Sequence, residues 1–251
     1  MSIHAYRETR TGWRFLPQAN TISRAKKSKD SVPSVTTVLS IIPEPEVKTE
    51  EGFYRKSEVE LYLSDPKSVT FEKAKEALYG YRTCPVSGKD IKSSDFGTRA
   101  HLAMELWAKG VDISSNPYYE VTSAARKAVK EMLDDDSEME AEIIVGSSGV
   151  SAGTVDLVGK SGGKYILIDY KFRQCNRGVG KFYDKDLAQL SIEARWYSYS
   201  RGLDYLPAIR SICVCCDTGN AYVRKWRESS QARGEEIFEG CRALFRSLNR
   251  Y

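Results

Sequence analysis

No stretch of about eighteen consecutive apolar residues occurs in the 251-residue sequence, so no membrane-spanning helix is expected. The opening residues, MSIHAYRETRTGW, have no apolar segment behind a basic start, and the protein is therefore expected to be intracellular and cytoplasmic, without a signal peptide. Histidine is scarce. His4 and His101 are the only two, too few for a multi-histidine zinc site. No GxxxxGK[ST] stretch occurs, so any ATPase or helicase work has to come from a partner. Internal repeats and low-complexity segments are absent as well. The six cysteines lack the spacing of a secreted disulfide framework. Three of them crowd SICVCCD at 211–217, and reduced thiols acting as small apolar core residues are expected.

What is present suits one compact domain. The chain is 41% hydrophobic and 29% charged, and its formal charge of +4 permits contact with a polyanion without demanding it. Residues 1–33 are polar and basic, with RAKKSKD at 24–30, and read as an N-terminal arm or hairpin; 34–251 read as a single domain. VPSVTTVLS at 32–40 is either a strand or the entry to a helix capped by Ser34. Apolar residues recur at three and four in KTEEGFYRKSEVELYL, TFEKAKEALYGY, SSDFGTRAHLAMELWAKG and TSAARKAVKEMLDDD, which makes 34–136 mostly helical. From 137 the period shortens. MEAEIIVG, AGTVDLVG and KYILIDYKF predict three successive strands, with KSGG turning the chain between the last two. A helix over about 184–201, strands AIRSICVCCD and NAYVRKW and a closing helix follow. This order predicts an α/β/α sandwich around a central mixed β-sheet of about five strands, with a helical N-terminal half.

Charges sit inside the two most apolar strands. Asp156 on the second can lie opposite Asp169 on the third, and Asp169 and Lys171, two apart, share a face. A buried Lys171–aspartate pair would leave one carboxylate unexplained. Two carboxylates with a backbone carbonyl and water would instead suit Mg²⁺ or Mn²⁺, with Lys171 orienting a nucleophile. Glu142 on the preceding strand can add a carboxylate. His101 and Glu105, four apart, share a helical face, and Gln189, Glu193 and Tyr197 form a polar stripe along the helix after the third strand.

In order and spacing, GTRAHLAME, Glu142, GTVDLV, LIDYK and the QL of a following helix resemble the PD-(D/E)xK nuclease superfamily, and more narrowly its RecB-like branch of phage and mitochondrial exonucleases. PSVTTVLS is similar to the segment that opens many members, so the resemblance spans roughly 33–200. It implies a restriction-endonuclease-like core and a metal-dependent DNA exonuclease of recombination, repair or phage replication, in a bacterial or phage-infected cell. It further implies Mg²⁺ or Mn²⁺ held by His101, Asp156, Asp169 and the Tyr170 carbonyl, with Lys171 catalytic and Glu142 and Gln189 assisting. Two features depart from the family. Where the branch carries Gln-x-x-x-Tyr, this sequence has Glu193, and the next tyrosine on that face is Tyr197. The cysteines also lack the flanking spacing of an iron–sulfur cluster, so none is expected. DNA contacts are expected from Ser34, Thr36, Arg99, Glu105, Arg173, Arg177, Gln189 and Tyr197, with Lys26 and Lys27 on phosphates and Trp13, Tyr54 and Trp196 stacking on bases. Expected partners are DNA ends or single strands and a single-strand-annealing, helicase or replication protein. A structure-selective or site-selective endonuclease and a non-catalytic DNA-binding module are the competing readings.

Overall fold

In the computed structural model of the protein, the described residues are 5–9, 12–16, 31–42, 47–49, 52–54, 82–91, 93–173, 175, 180–216 and 218–249. Along the chain run β1 (Ala5–Thr9), β2 (Gly12–Phe15), β3 (Ser31–Pro33), α1 (Val35–Leu39), β4 (Val47–Thr49), β5 (Gly52–Tyr54), β6 (Arg82–Thr83), β7 (Asp90–Ile91), α2 (Ser93–Ala108) and α3 (Tyr119–Lys130). The C-terminal part continues with β8 (Glu140–Ser147), β9 (Ser151–Ser161), β10 (Lys164–Arg173), α4 (Asp184–Arg201), β11 (Ala208–Cys215), β12 (Ala221–Lys225) and α5 (Glu228–Asn249).

The central sheet has the order β12-β11-β10-β9-β8. It is mixed, because β10 and β11 run parallel through the α4 crossover while every other pair is antiparallel. Apolar side chains from both of its faces are buried. Val155, Val158, Leu167 and Ile209 pack with α1, α4 and α5, whereas Leu157, Ile166, Ile168, Tyr170 and Ile212 pack with α2 and α3. That two-sided burial explains why β10 reads as a near-continuous apolar run. The expected α/β/α sandwich with five central strands is the observed architecture. No helix among the described residues is long and apolar enough to cross a membrane.

Local chemistry sets the joints. Gly162 and Gly163 both take positive φ, 59° and 72°, as a two-residue hairpin turn requires. The Asp134 carboxylate accepts both of their N–H groups, at 2.8 and 3.0 Å. At the start of α4 Asp186 accepts the Tyr183 N–H at 2.9 Å, and left-handed Gly202 ends the helix.

One expectation changes at the N-terminal end. The arm is a small sheet of order β2-β1-β3, whose Tyr6 hydroxyl bonds Thr154 Oγ1 at 3.1 Å. The first expected amphipathic helix opens instead as the β4–β5 hairpin, consistent with the extended preference of Val47, Phe53 and Tyr54. The remainder of that segment, and TFEKAKEALYGY up to residue 81, lie outside the described residues.

Candidate metal centre

The β9–β10 ladder stops at Leu157↔Ile168, so Asp156 and Asp169 are the first opposed residues that no longer pair. Beyond that point β10 stays with β11 and β9 stays with β8, and the sheet forks. The Asp156 side chain bridges the fork, its Oδ2 accepting the Tyr170 N–H at 2.7 Å. From α2, the His101 ring lies against Tyr170 and Phe172 and places Nδ1 3.4 Å from Asp156 Oδ1. Lys171 Nζ meets Asp169 Oδ1 at 2.5 Å, while Asp169 Oδ2 is buried without a hydrogen-bond partner.

Glu142 lies opposite Asp156 on β8, between the pairs Ala141↔Leu157 and Ile143↔Val155. Among the described residues it is the one non-glycine with positive φ, at 56°. Such backbone is strained for a residue with a Cβ. The strain has a visible result. Ala141 and Leu157 join the core under α2 and α3, whereas Ile143 and Val155, two residues along each strand, join the core under α4. Residues two apart in a regular strand share a face, so both strands change faces at the Glu142–Asp156 pair. This twist brings donor atoms of His101, Glu142 and Asp156 within 4.8 Å of one another.

The fork holds more carboxyl groups than cations. Burial opposes ionisation of Asp156, but His101, Lys171 and the Tyr170 N–H outweigh it and hold this carboxyl below its usual range. Burial pushes Asp169 up to about 6 despite Lys171. Desolvation and then the Asp156 charge push Glu142, at the exposed rim, up to about 7. Glu193, 1% exposed on α4, is driven well above its usual range by burial and by Asp169 and Asp156. On the basic side burial opposes charge on His101 and Lys171, yet Asp156 for the first and Asp169 for the second raise both. Two buried carboxylate oxygens without a hydrogen-bond partner, Asp169 Oδ2 and Glu193 Oε2, and three carboxyls held above their usual range fit a hard divalent cation. His101, Glu142, Asp156 and Asp169 are the residues that could hold it.

Other expected site residues are placed differently. Gln189 Nε2 donates to Glu193 Oε1 at 3.3 Å, so the stripe on α4 faces the sheet rather than solvent. Tyr197 is fully buried, its hydroxyl donating to Glu140 Oε1 at 3.2 Å, two residues along β8 from Glu142. Arg173 is bound bidentately by Asp186, at 2.8 and 2.7 Å, and covers the Tyr183 ring. Ser34 is consumed as the α1 cap, its Oγ accepting the Thr37 N–H at 3.0 Å, while exposed Thr36 lies 3.0 Å from that oxygen. Arg99 is turned to Cys84 Sγ at 3.4 Å. Glu105 pairs with Lys109, close enough to the fork for its charge to act on Glu142. Trp196 packs edge-on against Phe238 in the core, and half-buried Trp13 covers Gly146. Lys26, Lys27, Arg177 and the Tyr54 side chain lie outside the described residues.

Three features escaped the sequence reading. Cys175 and Cys215 form a disulfide, correcting the expectation of reduced thiols; Cys175 follows β10 and Cys215 opposes Arg173, which brings them together. Glu193 penetrates to the backbone of Gly153, where a Cβ would stand 2.3 Å from Oε1; the signal was an acid and a glycine, neither informative alone. Finally, GVSAG at 149–153 has G-x-S-x-G spacing, but it enters β9 rather than a strand-to-helix turn, and buried Ser151 donates to Pro33 O at 2.7 Å.

Neither a family model nor a curated protein matches the chain. Among solved structures 19 chains match, one of them SSO0001, at a TM-score of 0.34 and 15% identity, covering 82% of this chain and 73% of that one. A likeness of that size carries no argument.

Proposed function

We propose that the protein is a metal-dependent deoxyribonuclease, an exonuclease that hydrolyses phosphodiester bonds at DNA ends or in single strands, with its centre at the fork of β9 and β10. The convergence of His101, Glu142 and Asp156 within 4.8 Å, on strained backbone beside Asp169 and Lys171, carries this reading. A bound Mg²⁺ or Mn²⁺ would supply a water of lowered pKa and neutralise charge building on the phosphate. The chain's own groups do the rest. Asp156 and Asp169 fix the centre from facing strands, and the Tyr170 N–H orients Asp156. Lys171, raised by its carboxylate neighbours, stays an ammonium and so serves as a hydrogen-bond donor to the attacking water or a phosphate oxygen rather than as a base. Gln189, held by Glu193, lines the α4 side.

The DNA assignment rests on the resemblance that the order of the motifs carries. A time course on single-stranded and duplex DNA labelled at a defined 5′ or 3′ end, beside a covalently closed circle, tests it. Release of labelled mononucleotides from ends with the circle intact is expected. Cutting of the circle would make the protein an endonuclease, and DNA retention without turnover in Mg²⁺ or Mn²⁺ would make it a binding module.

A further inference from the structure

Three sulfurs crowd together beside the strand that carries Asp169 and Lys171. On β11, Cys213 and Cys215 are two apart and so share a face, and the parallel register sets them beside Lys171 and Arg173 of β10. Cys175, just past the end of β10, closes on both: its Sγ is bonded to Cys215 and stands 3.8 Å from Cys213 Sγ. All three residues are buried, and Phe182 and Tyr222 pack against them. The packing there is tight, since a Cβ on Gly180 would stand 2.6 Å from Tyr222 Cβ.

A disulfide uses two cysteines and leaves the third unexplained. One use of a third thiol is exchange, in which a thiolate attacks one sulfur of the bond and expels the other. Attack runs along the S–S axis, so Cys213 aimed at Cys175 would lie about 6 Å from Cys215, the 3.8 Å approach plus a bond of about 2 Å. Instead the three sulfurs all lie within 4.8 Å of one another, a triangle rather than a line. A cation held by three thiolates requires such a triangle. Metal–sulfur bonds of about 2.3 Å at tetrahedral angles separate neighbouring sulfurs by roughly 3.8 Å, which is the Cys175–Cys213 spacing. Donor chemistry also separates this cluster from the fork, because carboxylates suit Mg²⁺ or Mn²⁺ whereas soft thiolates select Zn²⁺.

We propose that Cys175, Cys213 and Cys215, when reduced, form a zinc site that ties the end of β10 to β11, and that the disulfide is the oxidised, metal-free state of the same site. The two states exclude each other, because Cys175 and Cys215 cannot bond each other and the ion at once. A dithiol reductant gives two electrons and two protons to the Cys175–Cys215 bond and itself closes to a disulfide. Zn²⁺ then displaces the three thiol protons, and the fourth position of its shell is left to water. With the sulfurs buried, the ion is taken up as the chain folds. The site shares no ligand with the fork and stands whether or not the fork cleaves DNA.

Refolding of the full chain from guanidinium with a phosphine reductant and Co²⁺, as the spectroscopic substitute for Zn²⁺, followed by desalting, tests the assignment. The refolded chain shows a thiolate-to-cobalt charge-transfer band in the near ultraviolet, which the carboxylates and imidazole of the fork cannot give, and Zn²⁺ erases it. Cys213→Ser lowers the band by at least about a third, the share of one thiolate in three. Cys84→Ser, Cys241→Ser and Asp156→Asn leave it unchanged. Wild-type chain refolded with a small-molecule disulfide in place of the phosphine shows no band, and this comparison decides the matter if the Cys213 variant does not fold. No band in the reduced chain, an undiminished band in Cys213→Ser or in the oxidised chain, or loss of the band in Cys84→Ser, Cys241→Ser or Asp156→Asn would overturn the proposal.

Discussion

The two halves of the β9–β10 hairpin obey different rules. From the turn to Leu157↔Ile168 the ladder is complete, glycines supply the positive φ, Asp134 clamps the turn and the inward side chains are apolar. Past Leu157 the two strands no longer pair with each other, a side chain replaces the ladder bond, Glu142 on the adjacent β8 takes left-handed backbone and acids crowd one another. One half is arranged for stability, and the other gives up stability to hold charge at a fixed place. In this account the charges are tolerated because the ladder ends where they begin.

That contrast can be broken from the open side first. Asp169→Ala or Lys171→Ala is expected to cut metal-dependent DNA hydrolysis by at least about a hundredfold while the far-ultraviolet dichroism of the sheet is retained, since the first removes a carboxylate that would hold the ion and the second the ammonium that would meet the water or phosphate. Gly153→Ala places a Cβ 2.3 Å from Glu193 Oε1 and is expected to lower the urea midpoint, at unchanged slope, by the equivalent of about 1–3 kcal/mol.

Glu142→Gly is the inverse experiment. Glycine accepts φ 56° freely, so in chelator the variant should unfold at a higher temperature than the parent, by about 1 kcal/mol or less, while binding Mn²⁺ more weakly. If Glu142 instead belonged to the closed half's scheme, the same change would cost stability.

The fork should also make metal-free stability depend on pH with a definite sign. Glu142 at about 7 and Asp169 at about 6 lie above their unfolded values, so folding favours their protonated forms and their stabilisation is lost as pH rises through those values. His101, raised by Asp156, contributes fully below its unfolded value and is lost as pH rises through its folded one. Asp156, held low, works in the opposite sense only at more acidic pH. The melting temperature in chelator should therefore fall from about pH 5.5 to 8, and less steeply in Glu142→Gln. A rising curve would contradict the placement of these groups. Smallest of all, Lys160→Ala on the exposed flank of the closed half should change stability by no more than about 0.5 kcal/mol and activity not at all.

Much of the layout was legible because the periodicities are unambiguous: the three-strand meander, the α4 crossover and the closing strands and helix follow from alternation, glycines and apolar runs. The opposition of Asp156 and Asp169 followed from the KSGG turn, which fixes register. What could not be read depends on three-dimensional neighbours. Glu142 was visible as a candidate, but nothing local announces its left-handed backbone, since the reversal is imposed by two cores on opposite faces. The inward orientation of Glu193 requires Gly153, forty residues earlier, to lack a side chain. Tyr197 and Arg173 looked available to DNA because sequence does not show Glu140 and Asp186, the acids that occupy them. The Cys175–Cys215 bridge needs the parallel pairing of β10 and β11 before its two sulfurs can meet.

The central claim is that the open half of the hairpin is a metal-dependent phosphodiesterase centre. Its most direct test is the initial rate of cleavage of end-labelled DNA by the wild-type protein and by Lys171→Ala, each in Mn²⁺ and in excess chelator. The account predicts cleavage by the wild type in Mn²⁺ alone, with the variant inactive in both conditions although it still binds the ion. Cleavage by the variant at the wild-type rate, or by the wild type in chelator, would contradict it.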